Sequence, residues 1–328
     1  MTLWFFSVVG ILVFIYYLVQ FLVFSYLDCD LELYLLSKFG RSIDSLRGKV
    51  VWITGASSGI GRDLALLLAK HGVRLCLSSR KEPDLLKVKQ ECLEASNGAL
   101  SSEDVLVMPM DMLDIDKHER YFDRVIEHFH TLDIVVNNAG RSQRADWNTI
   151  QLKVDRELFE LDVFAVINLS RIALNYFVQN SIRGHIAVTS SVTGLVAFPN
   201  SATYTAAKHA LHGYFETLQN EAFNVDVTIF CPGPTATNFL QECFTSKAGE
   251  KYNKPVNADD KRLTSKRCAE LYAVSLANKL PMSWAGTRPM NFIFYLGCYY
   301  PNVKRILIKT LGIANIDRLR NGRPIQWN

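Results

Sequence analysis

Six short, largely apolar runs rich in β-branched residues recur along the chain. They are KVVWITG from Lys49, VRLCLSS from Val73, VLVMPMD from Val105, LDIVVNNAG from Leu132, GHIAVTSS from Gly184 and VDVTIFCPG from Val225. Runs of this length, bounded by glycine and polar residues, suit strands buried on both faces. Between them lie stretches with helical character: Gly61 to His71, closed by Gly72; Glu82 to Ala95, with Pro83 in its first turn; His118 to Phe129; Phe159 to Gln179; and Tyr204 to Phe223. Strands alternating with helices require right-handed crossovers and a parallel sheet covered by helices on both sides. The expected fold class is therefore α/β, a doubly wound parallel sheet in a single catalytic domain. Its ligands bind beyond the carboxyl ends of the strands, where strand order reverses.

Residues Leu3 to Leu27, LWFFSVVGILVFIYYLVQFLVFSYL, carry no charge. As a helix they extend roughly 37 Å, more than the ~30 Å hydrocarbon layer of a bilayer. The segment lacks the basic start and short apolar centre of a cleaved signal peptide. Trp4, Phe5, Phe6, Phe24 and Tyr26 put aromatic rings near both ends, as at membrane interfaces. The expected organisation is an uncleaved membrane anchor over 1–27, a linker over 28–48, a catalytic domain over 49–280 and an apolar extension over 281–328. Lys38 and Arg41 point to a cytosolic catalytic domain under the positive-inside rule, a signal weakened by Asp28, Asp30 and Glu32 beside them.

The first strand passes directly into ASSGIG. TGASSGIG places Gly55, Gly59 and Gly61 at the strand-to-helix turn, with Ser57, Ser58 and Ile60 between them. Such glycines allow a tight turn, close approach of a pyrophosphate to the backbone and close helix–strand packing. The helix N-terminus adds free N–H groups and a favourable dipole. A Rossmann-type dinucleotide site follows. The second strand ends at Ser79-Arg80, without the carboxylate that holds a ribose 2′-hydroxyl. Arg80 and Lys81 suit a 2′-phosphate instead, so NADP(H) is expected over NAD(H).

With TGASSGIG, NNAG at Asn137 to Gly140, Tyr204-Thr-Ala-Ala-Lys208, Ser191 thirteen residues before Tyr204, and CPGPTAT at Cys231 to Thr237, the chain resembles the short-chain dehydrogenase/reductase family. The resemblance spans roughly Lys49 to Lys279. It implies that Asp111 sits by the adenine, that Asn137 and Gly140 line the cofactor, and that Thr235 and Thr237 meet the nicotinamide carboxamide. It implies Tyr204 as general acid/base and Ser191 as the donor to the substrate oxygen. Lys208 would hold the nicotinamide ribose, so Tyr204 and Lys208 count as cofactor-binding too. It further implies an endoplasmic-reticulum membrane enzyme and a homodimer through the long helices.

The chemistry can be argued from the residues. A phenol has an ordinary pKa near 10, too high for facile proton exchange at neutral pH. Lys208 follows Tyr204 by one helical turn, on the same face. A cation about 4 Å away favours phenolate by on the order of 4 kcal/mol before desolvation losses. A hydroxyl from Ser191 would oppose the charge that grows on the substrate oxygen. Ser190, its neighbour on the strand, points to the opposite face, so only one of the two can serve. One position departs from the family pattern: LFELDVFAV puts Asp162 where the family usually has Asn. An ionised Asp accepts hydrogen bonds but does not donate. Asp162 would hold the water that relays a proton to Lys208, or pair with Lys208 itself.

Beyond Asn238 the pattern weakens. Phe239 to Arg262 reads as a loop over the site, and Ser265 to Lys279 as a helix. The apolar zone Met290 to Ile313 is interrupted by Pro301, Lys304 and Arg305, so it either lies on a membrane surface or packs on the core. The seven cysteines are widely spaced without a CxxC pair and are expected as free thiols. The histidines form no metal-ligating spacing, and no metal site is expected. Asn168-Leu169-Ser170 lies in a predicted core-facing helix, so no glycan is expected. No basic run or nucleic-acid motif accompanies the net charge of +4, which argues against a nucleic-acid partner. The resemblance, together with the anchor, implies small lipophilic carbonyls or alcohols such as retinoids or steroids, and the apolar Leu195 to Pro199 segment fits such a pocket. The second reading is a membrane-bound cofactor scaffold or sensor that has lost turnover, prompted by Asp162.

Overall fold

The computed structural model describes residues 2–221, 224–253, 256–257, 259–288 and 290–326. Its centre is a seven-stranded parallel sheet in the order β3-β2-β1-β4-β5-β6-β9. The strands are β1 (Val50–Thr54), β2 (Arg74–Ser79), β3 (Val105–Pro109), β4 (Ile134–Asn137), β5 (His185–Thr189), β6 (Asp226–Pro232) and β9 (Met282–Ala285). A separate pair, β7 (Thr235–Ala236) and β8 (Leu263–Thr264), closes the edge of the cleft. β1 is central: Val51 pairs with Leu75 on one side and Ile134 on the other. Strand order reverses between β1 and β4, which opens the crevice at their carboxyl ends.

Alternation along each strand sorts the core into two layers. Val51 and Ile53 of β1, Leu75 and Leu77 of β2, and Ile134 and Val136 of β4 face α3 (Gly59–Lys70), α4 (Glu82–Ala95) and α9 (Ser265–Asn278). Val50 and Trp52, Cys76, and Val135 face α5 (His118–Phe129), α7 (Ala165–Gln179) and α8 (Ala202–Asn220). The indole N–H of fully buried Trp52 donates to Ser78 Oγ at 2.8 Å, so its polar edge is satisfied.

Four expectations need correction. The helix read as continuous from Phe159 is interrupted. α6 (Leu152–Phe159) passes through one π turn, Glu160–Phe164, into α7. Such turns leave the regular hydrogen-bond ladder and cluster at functional sites. Segment 28–48 is not a simple linker. Asp30 caps α2 (Leu31–Phe39) by accepting from the Leu33 N–H at 2.8 Å, and Cys29 and Leu33 are fully buried. Trp284 N–H donates to Asp30 Oδ2 and Arg267 grips Asp28 with two bonds, so the segment is clamped to β9 and α9. The extension begins with β9, an edge strand too short and too polar to stand out as a run. The helix expected from Tyr204 to Phe223 starts at Ala202 and reaches Asn220; residues 222 and 223 lie outside those described.

Downstream, α10 (Met290–Tyr299) buries Met290 and Phe294 against Val192, Val196 and Phe198, so this zone packs on the core. α11 (Pro301–Arg320) is broken at Gly312, whose φ of 74° lies in the region that favours glycine. Before the break Val303, Ile306 and Leu307 are exposed; after it Ile316 and Leu319 pack against the Phe198–Phe294 cluster. α1 (Thr2–Tyr26) is a single apolar helix in which Phe6–Val23 is long and apolar enough to cross a membrane and none of that window is buried. Phe21 meets Phe292 of α10 edge-on at 5.0 Å. The cysteines are free and, except for half-buried Cys298, buried.

Candidate active site

A cleft of about 730 Å³ opens beyond the carboxyl ends of the central strands. At one end lies the turn after β1. Gly55 and Gly59 both have positive φ, 68° and 57°. A Cβ on Gly55 would stand 2.9 Å from the Ala139 backbone, and one on Gly61 would stand 2.4 Å from the Gly55 carbonyl oxygen. Ser57, Ser58, Gly59 and Ile60 line the cleft, while Gly61 brings α3 hard against the turn. The N-terminus of α3 therefore lines the cleft, with the Thr237 side chain packed beside Gly59, which suits a pyrophosphate. Arg80 and Lys81 line the cleft at the end of β2, and Asp111 lines it after β3 while accepting from the Leu113 N–H at 3.1 Å. Thr235 and Thr237 line the far wall, where Thr237 caps a short turn through the Phe239 N–H.

Asn137 is a correction. Its side chain is buried on the other face of β4, where its amide donates to Ser170 Oγ of α7 at 3.0 Å. The neighbouring Asn138 lines the cleft in its place. Its amide donates to the carbonyls of Thr54 and Gly55, and its Oδ1 accepts from Thr189 at 3.2 Å. Asn138 thus stitches the glycine turn to β5. Ala139 and Gly140 continue the lining, and Gly140 is tight against Asp162: a Cβ there would stand 3.1 Å from the carboxylate.

At the other end, Tyr204 and Lys208 of α8 face the cleft together with Ser191. Ser191 Oγ donates to the Pro232 carbonyl at 3.4 Å. Ser191 Oγ also accepts from the Thr193 N–H at 3.2 Å. Ser190 points away from Tyr204, bonded to His212 Nε2 at 3.0 Å. Lys208 Nζ stands 5.5 Å from the Tyr204 ring centre, donates to the Thr189 carbonyl at 3.2 Å, and lies 3.1 Å from Asp162 Oδ2. The π turn carries Asp162 inward, where its Oδ1 accepts from the Arg141 N–H at 2.8 Å.

The electrostatics differ from a lone Tyr–Lys pair. Burial pushes the Tyr204 phenol above its ordinary value. Lys208, Ser191 and Arg144 pull it down, while Asp162 pushes it further up. Burial lowers Lys208, but Asp162 and Tyr204 together raise it above its ordinary value, so its ammonium is held charged. Burial raises the Asp162 carboxyl against the pull of Lys208. Asp162 therefore partly cancels the help that Lys208 offers the phenol.

Other residues in the cleft were not anticipated. Arg144, Arg262, Arg320 and Asn321 form a lip on the Tyr204 side, with Phe239 and Phe244. Phe239 lies 6.1 Å from the Tyr204 ring. Arg144 follows NNAG closely and is visible as a charge in that motif. Nothing in the local pattern around Arg320 announces a place in the cleft. Among the described residues no three His, Cys, Asp or Glu side chains cluster as a metal site.

The family model described as short chain dehydrogenase matches residues 49–248. The chain is 37% identical over 311 residues to human "Dehydrogenase/reductase SDR family member 7", covering 93% of this chain and 90% of that protein. It is 36% identical to the mouse protein of the same name over the same shares. Among solved structures it resembles an alcohol dehydrogenase from the archaeon Thermococcus sibiricus complexed with 5-hydroxy-NADP. The TM-score is 0.63 and the identity 25%, over 74% of this chain and 98% of that one. A Caenorhabditis elegans short-chain dehydrogenase/reductase solved with cofactor matches at TM-score 0.54 and 27% identity, over 60% and 73%. A glycine turn at one end of the cleft and a buried serine, tyrosine and lysine at the other, with the human and mouse relatives matched along 93% of the chain, place it in the short-chain dehydrogenase/reductase family of oxidoreductases.

Proposed function

We propose that the chain is an NADP(H)-dependent oxidoreductase that interconverts a carbonyl and an alcohol on a small, largely apolar substrate at a membrane surface. The observation that carries this reading is the grouping of Ser191, Tyr204, Lys208 and Asp162 at one end of a cleft whose other end is the glycine turn. The nicotinamide, when bound, supplies the hydride. Gly55, Ser57, Ser58, Gly59, Ile60 and Gly140 shape the groove for it. Arg80 supplies a guanidinium for a 2′-phosphate, Asp111 flanks the adenine, Thr235 and Thr237 face the carboxamide, and Tyr204 and Lys208 border the ribose.

Tyr204 Oη gives its proton to the substrate oxygen in reduction and takes it back in oxidation. Ser191 Oγ donates to the same oxygen, where negative charge develops. Lys208 holds a positive charge behind the phenol, and Asp162 fixes Lys208 in place. α1 anchors the chain, and the exposed apolar half of α11 lies against the same lipid surface, as in an endoplasmic-reticulum enzyme. The groove across α7 and α8, lined by Leu174, Tyr214 and Leu218, is the proposed homodimer face.

The test is NADPH oxidation by the detergent-solubilised full chain with a panel of apolar aldehydes, ketones, retinals, steroids and quinones. Turnover of at least one class is expected. NADPH binding without consumption across the panel, with turnover appearing in Asp162→Asn, would establish the second reading, a cofactor-binding scaffold silenced by the Asp162–Lys208 ion pair.

A further inference from the structure

The lip beside Tyr204 contains an electrostatic imbalance. Arg144 and Arg320 both donate to one hydroxyl, Ser201 Oγ, Arg320 at 2.9 Å. Ser201 is fully buried at the residue just before the helix on which Tyr204 stands, so the pair sits at the Tyr204 end of the cleft, away from the glycine turn. Arg320 is 8% exposed and lies over the Phe198 ring, 5.0 Å from its centre. Arg144 otherwise reaches only Ser142 Oγ and the Gln143 carbonyl, all through one of its nitrogens.

Neighbouring arginines are treated differently. Arg262 pairs with Asp260 at 2.8 Å, Arg323 with Asp260 and Asp317, and Arg141 with Glu242. Among the described residues no carboxylate comes within ion-pair distance of Arg144 or Arg320. Two guanidiniums sharing a neutral oxygen in a largely buried place repel each other and forgo hydration, a costly arrangement unless an anion joins them. Burial holds both below the ordinary arginine value and Arg144 adds to the effect on Arg320, while Asp317, beyond ion-pair distance, only partly offsets it. A planar, five-donor group is the residue type that grips a carboxylate with two parallel bonds.

We infer that the substrate is an amphiphilic oxo or hydroxy acid: its carbonyl or carbinol carbon lies at Tyr204 and Ser191, its apolar body lies along Phe239, and its carboxylate is gripped between Arg144 and Arg320. This deepens the proposed function and rests on it for the reaction, while the anion site itself stands on the arginine pair. The sharp break at Gly312 is what delivers Arg320. It turns the end of α11 back over the cleft, where the Asn321 carbonyl accepts from Lys261 N–H and Arg262 donates to Asn321 Oδ1.

The experiment uses the full chain in detergent with NADPH, and compares oxo acids of increasing chain length with their methyl esters. A carboxylate held by two charge-assisted bonds is expected to raise kcat/KM over the ester by about tenfold to a hundredfold at the preferred length. In Arg144→Gln and Arg320→Gln the acid-to-ester ratio falls toward one, and NADPH affinity measured by fluorescence reports that the fold survives. An acid-to-ester ratio of one in the wild type, or a ratio unmoved in both variants, overturns the inference and leaves the oxidoreductase reading intact. A preference for a phosphate or sulfonate analogue over the carboxylate also overturns it. Should neither acid nor ester turn over, the proposed reaction fails instead. Calorimetry with a plain long-chain carboxylate and the NADPH-bound chain then decides the anion site. Saturable binding lost in Arg320→Gln upholds it, and no binding removes it.

Discussion

The two ends of the cleft are built on different principles. At the glycine turn, seven consecutive residues from Gly55 to Gly61 make the site, and they do so mainly with backbone and with the absence of side chains. At the Tyr204 end the site consists of side chains drawn from the turn after β5, α8, the π turn, the segment after β4 and the end of α11. Arg320 and Ser201 meet across 119 residues of sequence. In the proposed reading the first end takes a group common to many proteins, so it can be a local motif, whereas the second takes one substrate and positions one proton, so its parts are free to come from anywhere the fold brings together.

That contrast predicts different failures. The largest effect is at the side-chain end. Tyr204→Phe removes one oxygen and leaves the ring against Phe239. It is expected to lower kcat by about 10²–10⁴-fold, the usual worth of a positioned general acid. NADPH affinity measured by fluorescence titration should hold. A variant that keeps its rate would show that the proton comes from elsewhere.

At the backbone end, Gly61→Ala adds a single methyl where the Gly55 carbonyl oxygen stands 2.4 Å away and Asn138 Nδ2 2.5 Å. Overpacking of this kind costs about 1–3 kcal/mol. Both NADPH affinity and Tm are expected to fall together, by contrast with Tyr204→Phe. A substitution that leaves both unchanged would mean the turn relaxes freely, and the backbone description of this end would be wrong.

Arg80→Gln sharpens the contrast further, because Arg80 is a side-chain contribution at the otherwise backbone end. Loss of one charge-assisted bond to a 2′-phosphate is expected to weaken NADPH by about tenfold to a hundredfold, with NADH nearly unaffected. Equal weakening of both cofactors would assign Arg80 to the fold and not to phosphate recognition.

The same contrast explains what could be read along the chain. β1 to β6 stood out because strands buried on both faces need continuous apolar runs, and the glycine turn because its requirements are contiguous. Asn137 was misplaced because a strand alternates its side chains: one residue of parity sends Asn137 to Ser170 and Asn138 to the cleft. α2 was hidden in an apparent linker because nine residues carry too little periodicity to declare a buried face. The lip formed by Arg262, Arg320 and Asn321 was invisible for a different reason. A charged residue on a C-terminal helix looks solvated until the break at Gly312 shows which way the chain turns.

Asp162 joins the two ends, since its carboxylate lies against Gly140 on the cofactor wall and against Lys208 behind Tyr204. It raises the phenol directly and offsets the Lys208 charge that would lower it. Asp162→Asn removes that negative charge but keeps an oxygen for the Arg141 N–H. The Tyr204 pKa should then fall. Alcohol oxidation needs the phenolate, so its kcat/KM, which rises with pH, should rise at lower pH than in the wild type. Carbonyl reduction needs the protonated phenol, so its decline should also begin at lower pH. Both limbs moving the same way by the same amount identifies one titrating group. Lys208 gives the opposing case: without Asp162, burial favours its neutral form. A neutral amine would stop stabilising the phenolate and both limbs would move to higher pH. The direction of the shift in pH profiles measured both ways therefore decides whether Asp162 acts mainly on the phenol or mainly by keeping the lysine charged.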